Sequence, residues 1–89
     1  MHGIARIRFG DGALVMPACS RYDRELVFEE AEFYARRHGK VRLELDRREI
    51  LVSRQPGRPC GGCGERDTAL SFSVGSRPLC RKCVRTHER

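Results

Sequence analysis

The chain has 89 residues, of which 39% are hydrophobic and 34% charged, a composition typical of one small folded domain or two very small ones. No apolar run approaches the roughly 20 residues that span a bilayer, and the first ten residues do not form a signal peptide. We therefore expect a cytoplasmic protein (nuclear in a eukaryote) with no membrane partner, in a compartment that keeps thiols reduced.

The formal net charge of +6 is concentrated in the last third of the chain. Residues 1–53 carry ten basic and nine acidic side chains, whereas residues 54–89 carry eight basic and three acidic ones. Sixteen of the eighteen basic residues are arginine, which suits phosphate and base edges better than lysine does. This surplus favours an anionic partner, although an arginine bias of the genome would produce the same composition.

The N-terminal segment predicts a hairpin over residues 4–17. Residues 4–9 alternate, with Ala5, Ile7 and Phe9 on one side, as in a half-buried strand. The sequence GDG at 10–12 predicts a turn, and ALVMP predicts the returning strand.

A helix is predicted between Ser20 and Gly39. Ser20 and Asp23 have the spacing of a capping box, and Gly39 can end the helix. Apolar residues recur at helical spacing, and acidic residues are expected on the solvated side. The apolar set is Leu26, Val27, Ala31, Phe33 and Tyr34, and the acidic set is Glu29, Glu30 and Glu32.

Two further strands complete a β-β-α-β-β module over residues 1–53. Val41, Leu43 and Leu45 alternate with polar residues and are expected to face inward. A turn near 46–49 leads to a strand at 50–53. Two prolines and a glycine then indicate a linker at 54–59, before a cysteine-rich segment at 60–89. The predicted fold class is α+β.

Four cysteines follow the pattern C-x2-C-x16-C-x2-C, namely Cys60, Cys63, Cys80 and Cys83. Two glycines between the first pair allow the tight loop that brings both sulfurs to one ion. Four thiolates complete a tetrahedron and leave no open position, so the pattern predicts one structural zinc per chain. An iron site of the rubredoxin type, two disulfides and a redox-active pair are the alternatives.

The residues around the four cysteines predict a zinc-binding loop, a hairpin near Gly75 and Ser76, and a short helix after Cys80, which together make a treble clef. The motif resembles a GATA-type zinc finger over about residues 58–89. The matching residues are Cys60, Cys63 with Gly64, Thr68-x-Leu70, Gly75, and Leu79-Cys80-x2-Cys83. The spacer is one residue shorter, and Ser71 and Phe72 stand where that family has tryptophan. The resemblance implies a zinc-held fold associated with nucleic acid in transcription.

The predicted last helix carries a cationic arc beside its metal-binding side. On a helical projection Arg81, Arg85, Arg89 and Lys82 fall within an arc of about 100°, and Arg77 precedes them. We interpret these five residues as nucleic-acid contacts, with DNA expected in preference to RNA. The alternative is a solvated surface of an arginine-rich protein.

The remaining candidates indicate no catalytic site. The hairpin lacks histidine and the chain lacks asparagine, which argues against a treble-clef nuclease, and no small-molecule substrate is expected. Cys19 is expected to be an ordinary buried cysteine, with a reactive thiolate before the helix as the alternative. His87 is expected to pack or lie exposed, with a role near the metal as the alternative.

The sequence thus predicts a small zinc-finger protein that acts with nucleic acid, in the regulation of transcription. The competing hypothesis is an adaptor that docks on a large assembly such as RNA polymerase or the ribosome. The zinc would then be purely structural, and the arginines would meet acidic side chains. In the first case residues 1–53 would contact a protein of the transcription machinery or a second subunit.

Overall fold

The computed structural model describes residues 3–54, 59–64 and 70–86, and within them it contains six strands and two helices. In chain order these are β1 (Ile4–Phe9), β2 (Gly12–Pro17), α1 (Arg21–His38), β3 (Lys40–Leu45), β4 (Arg48–Ser53), β5 (Ser71–Val74), β6 (Arg77–Leu79) and α2 (Arg81–Thr86). The predicted α+β class and the predicted order of elements are confirmed, and β4 begins two residues earlier than predicted.

The strands form one antiparallel sheet in the order β2-β1-β3-β4-β5-β6. Its register pairs Ile7 with Leu43 and Leu43 with Ile50, so apolar side chains line up across neighbouring strands on one face. Helix α1 packs on this face and buries it. The opposite face carries the alternate residues and lies open.

Helix α1 begins and ends at the predicted residues because both caps form. The Asp23 backbone N–H donates to Ser20 Oγ at 3.1 Å, and the Asp23 carboxylate accepts from the Ser20 N–H at 3.3 Å. At the other end Gly39 has φ +94°, a conformation that favours glycine, and its N–H bonds to Ala35 O at 2.8 Å.

The buried stripe of α1 differs from the prediction. Val27 and Ala31 are buried as predicted, together with Phe28, which the periodicity missed. Leu26 and Phe33 are 37% and 46% exposed, so their assignment to the buried side was wrong. Successive residues turn by about 100° around a helix, and on that projection these two positions lie roughly opposite the centre of the stripe that faces the sheet.

The prediction that Glu32 lies on the solvated side is also wrong, because only 2% of this residue is exposed. Glu29 is exposed as predicted. The difference arises because the side chains of Arg81 and Arg85 in α2 bond to Glu32 and cover it. Sequence periodicity within one helix cannot reveal a cover that comes from another part of the chain.

The cysteine-rich segment extends the sheet and the core of the preceding module. Strand β5 pairs with β4, with Phe72 opposite Val52. Leu70, Phe72, Leu79 and Val84 join the apolar cluster that includes the buried residues of β1, β3, β4 and α1. Separate folding of residues 1–53 stays a prediction, and residues 55–58 of the predicted linker lie outside the described residues. Within the described part, neither helix has the length and hydropathy needed to cross a membrane.

Candidate metal centre

Two backbone segments bring the four cysteines together. The loop at 59–64 carries Cys60 and Cys63, and the first turn of α2 follows Cys80 and contains Cys83. The Gly61 N–H donates to Pro78 O at 2.8 Å, which holds the loop against β6. The Gly64 N–H donates to Cys60 O at 2.9 Å and closes the loop on itself.

The spacing of the four sulfurs fits one metal ion. The four Sγ atoms lie within 4.8 Å of one another, and Cys63 Sγ lies 3.5 Å from Cys80 Sγ. A tetrahedron with metal–sulfur bonds of about 2.3 Å has sulfur–sulfur edges of about 3.8 Å, so only small shifts are needed. The four predicted ligands therefore form a single site, and its donor set is one that zinc prefers.

Backbone N–H groups point at two of the sulfurs. The Gly62 N–H lies 3.2 Å from Cys60 Sγ, and the Cys83 N–H lies 3.4 Å from Cys80 Sγ. Burial raises the pKa of Cys60, but backbone hydrogen bonds outweigh it and lower this pKa to about 6. Cys60 is thus the thiol prepared to lose its proton near neutral pH.

The crowding of thiols acts in the opposite direction on Cys83. Hydrogen bonds with Cys80, Cys60 and Cys63 favour its protonated form and raise its pKa to about 12. A cluster of four thiols without a cation therefore retains protons. Metal binding must displace them, so acid will compete with the metal.

The four cysteines differ in exposure, and the backbone packs closely on the sulfurs at one point. Cys60 and Cys80 are buried, Cys83 is half-buried and Cys63 is exposed. A Cβ atom at Gly62 would lie 3.2 Å from Cys83 Sγ and 3.6 Å from Cys60 Sγ, so this position has little room for a side chain. With four thiolates bound, a tetrahedral ion has no open coordination position for a substrate.

Helix α2 is joined to α1 by ion pairs that sequence reasoning missed. Arg81 Nε donates to Glu32 Oε2 at 2.8 Å. Arg85 donates to Glu25 Oε2 at 2.6 Å and to Glu32 Oε2 at 3.4 Å, and its guanidinium lies 5.2 Å from the centre of the Phe28 ring. The available signal was the seven-residue spacing of Glu25 and Glu32, which places both on one side of α1.

The five residues predicted to contact nucleic acid occupy different environments. Arg81 and Arg85 bond to α1, and Arg77 Nη2 donates to Gly61 O at 3.3 Å. Lys82 is exposed, and Arg89 lies outside the described residues. Their contact with nucleic acid stays a prediction.

The other candidates lie away from the four thiols. Cys19 is exposed, which corrects the expectation of a buried cysteine, and its Sγ lies 3.6 Å from Gly3 O. His87 lies outside the described residues.

No protein-family model, curated protein or solved structure matches the chain. The treble-clef and GATA-type assignments therefore stay predictions that depend on the motif, whereas the four-thiol cluster is a feature of the structure itself.

Proposed function

We propose that zinc fills the four-thiol site and that the chain is a zinc-stabilised, nucleic-acid-associated protein that regulates transcription in the cytoplasm. The observation that carries the proposal is a closed cysteine site in a strongly basic small protein. Four thiolates saturate one zinc, so the metal stabilises the fold and catalyses no reaction.

The charge that remains after metal binding supports an anionic partner. Four thiolates and one divalent ion together carry a charge of −2, which leaves the chain at about +4 from its formal +6. Because arginine dominates this surplus, phosphate groups are suitable partners. Counterion release from DNA or RNA then provides a sequence-independent driving force.

Two measurements test this proposal. Elemental analysis of the purified protein should find one equivalent of zinc. Titration of a labelled DNA duplex should give a dissociation constant of about 10⁻⁴–10⁻⁶ M near physiological salt, with tighter binding at low salt. Iron in place of zinc would contradict the metal assignment, and no binding at low salt would contradict the nucleic-acid role.

A protein-adaptor role is the second candidate, favoured by an exposed apolar line on α1. Tyr22, Leu26 and Phe33 are 73%, 37% and 46% exposed and lie within about 40° of one another around the helix. Such a line is suited to an apolar protein surface. Replacement of Leu26 and Phe33 by serine should abolish a nuclease-resistant pull-down and leave duplex affinity unchanged. Loss of duplex affinity instead would contradict the adaptor.

A further inference from the structure

The sheet face opposite α1 is open and rich in basic residues. Its register places Arg8 opposite Arg42, Arg42 opposite Leu51, and Leu51 opposite Ser73, which makes one row across four strands. At the spacing of neighbouring strands this row is about 14 Å long. All four strands therefore present alternate residues to solvent on this side.

Two shallow depressions lie side by side on this face. Their volumes are about 440 and 460 Å³, and they share Arg42 and Leu51. The first also contains residues near the start of β3, and the second contains residues of the β3–β4 turn. Four of the cations that line them make up what we call the cationic face: Arg8, Lys40, Arg42 and Arg47. Arg48 also lines the second depression, but it pairs with Leu45 on the side of the sheet that α1 covers. Glu49 is the acidic residue of the second depression.

Ion pairs within the described ranges neutralise little of this positive charge. Glu44 is shared between Arg6 at 3.6 Å and Arg8 at 3.2 Å, so one carboxylate faces two guanidinium groups. Among the residues that the structure describes, no carboxylate forms an ion pair with the other three members of the cationic face. The arginines of α2, in contrast, are held by Glu25 and Glu32.

Two features of this face are unfavourable for stability alone. Arg8 and Arg42 are directly opposite on adjacent strands, where like charges repel. Arg47 has φ +66° as the second residue of the two-residue turn that it forms with Asp46, a position where glycine is usual. An uncharged residue in place of Arg8 or Arg42 would remove the repulsion, and glycine in place of Arg47 would fit the turn better.

We infer that the cationic face, rather than α2, is the surface that contacts the phosphate backbone of duplex nucleic acid. The inference rests on the proposed function and specifies its interface. The charge of the face is complementary to phosphates, and arginine can bond them with two N–H groups at once. Contacts of this kind are independent of base sequence.

The absence of stacking groups favours a duplex over a single strand. No aromatic side chain lies on the open side of the described strands, whereas proteins that bind single strands stack bases on aromatic rings. Phe9 borders one depression, but its ring stacks on Tyr34 with centroids 4.4 Å apart. That ring is therefore occupied by α1.

The test compares two charge-matched double variants of the zinc-loaded full chain. Arg42→Gln with Arg47→Gly removes two cations of the proposed face, and the glycine suits the positive φ, so Tm should not fall. Arg21→Gln with Arg37→Gln removes two exposed cations from α1 and is the control. The probes are a short labelled DNA duplex, oligo-dT and poly-L-glutamate, each titrated at several salt concentrations.

If each face residue contacts one phosphate, the first variant should flatten the log–log salt slope by about 1.8 and weaken duplex binding about 30-fold at 0.15 M salt. The control should keep the wild-type slope, and oligo-dT should bind more weakly than the duplex. If the wild type binds the duplex and both variants change its affinity equally, or neither changes it, the cationic face is not the interface. The proposed function would still stand in that case. Poly-L-glutamate bound as tightly as the duplex would show an acidic protein as the occupant. No wild-type binding to either nucleic acid would remove both the function and the interface.

Discussion

Substitution of Glu32 tests whether the metal-bearing helix is part of the main core. Its carboxylate is 2% exposed and accepts hydrogen bonds from Arg81 and Arg85. The Arg81 side chain is 51% exposed, so that pair is screened and contributes about 0–1 kcal/mol. The Arg85 side chain is 21% exposed, and a charge-assisted bond there contributes about 1.5–3 kcal/mol.

We therefore expect Glu32→Ala to lower the free energy of unfolding by about 2–4 kcal/mol, and Glu32→Gln by about half as much because the amide oxygen still accepts a bond. The larger loss corresponds to a fall in Tm on the order of 10–25 °C for a chain of this size. This loss of unfolding free energy is smaller than the loss expected when one partner of a fully buried ion pair is removed, because Arg85 keeps Glu25 as a partner.

Thermal unfolding followed by circular dichroism, with zinc in excess, measures this loss. Glu29→Gln is the matched control, since it removes the same charge from an exposed position of the same helix and should change stability by less than about 0.5 kcal/mol. If Glu32→Gln and Glu29→Gln unfold at the same temperature, α2 does not dock on α1 through this carboxylate, and the reasoning fails.

Three further outcomes follow from the metal centre. Cys80→Ser should lose zinc and the order of the segment around it, whereas Cys19→Ser should keep one equivalent by elemental analysis, since Cys19 lies outside the cluster. Chelation should broaden or shift amide signals of β4 and β5 together, because those strands pair and share one core; unchanged β4 signals in an NMR titration would contradict this. Gly62→Ala should weaken zinc in a chelator competition, since its Cβ would crowd Cys83 Sγ at 3.2 Å; unchanged affinity would mean that the loop shifts freely.

Local signals in the sequence predicted most of the elements. The capping box at Ser20 and Asp23, the glycine at 39 and the alternation from Val41 to Leu45 are each decided by neighbouring residues, and each is confirmed. The four cysteines were predicted equally well, because their short loops bring paired sulfurs together whatever surrounds them. Such features need no knowledge of the rest of the chain.

Contacts between distant segments were outside the reach of those signals. Glu32 lies 49 residues before Arg81 in the chain. The periodicity of α1 alone therefore cannot predict that residues of α2 cover Glu32. The pairing of β4 with β5 was missed for the same reason, since a proline-rich segment between them suggested a boundary. Both contacts join elements that are distant in the chain, where packing decides and local pattern does not.

Contacts between distant segments also decide which cations remain available to an anionic partner. Counted along the sequence, the excess is in residues 54–89, and the helix that carries it seemed the natural contact for phosphates. In the fold, Glu25 and Glu32 of α1 neutralise Arg81 and Arg85 of that helix. Residues 1–53 are nearly neutral in sum, but four of their cations gather on the open side of the sheet and its adjoining turn, whereas most of their acids belong to α1. Within the described ranges, the open sheet therefore carries cations without ion-pair partners, although the count along the sequence assigned little net charge to this half of the chain.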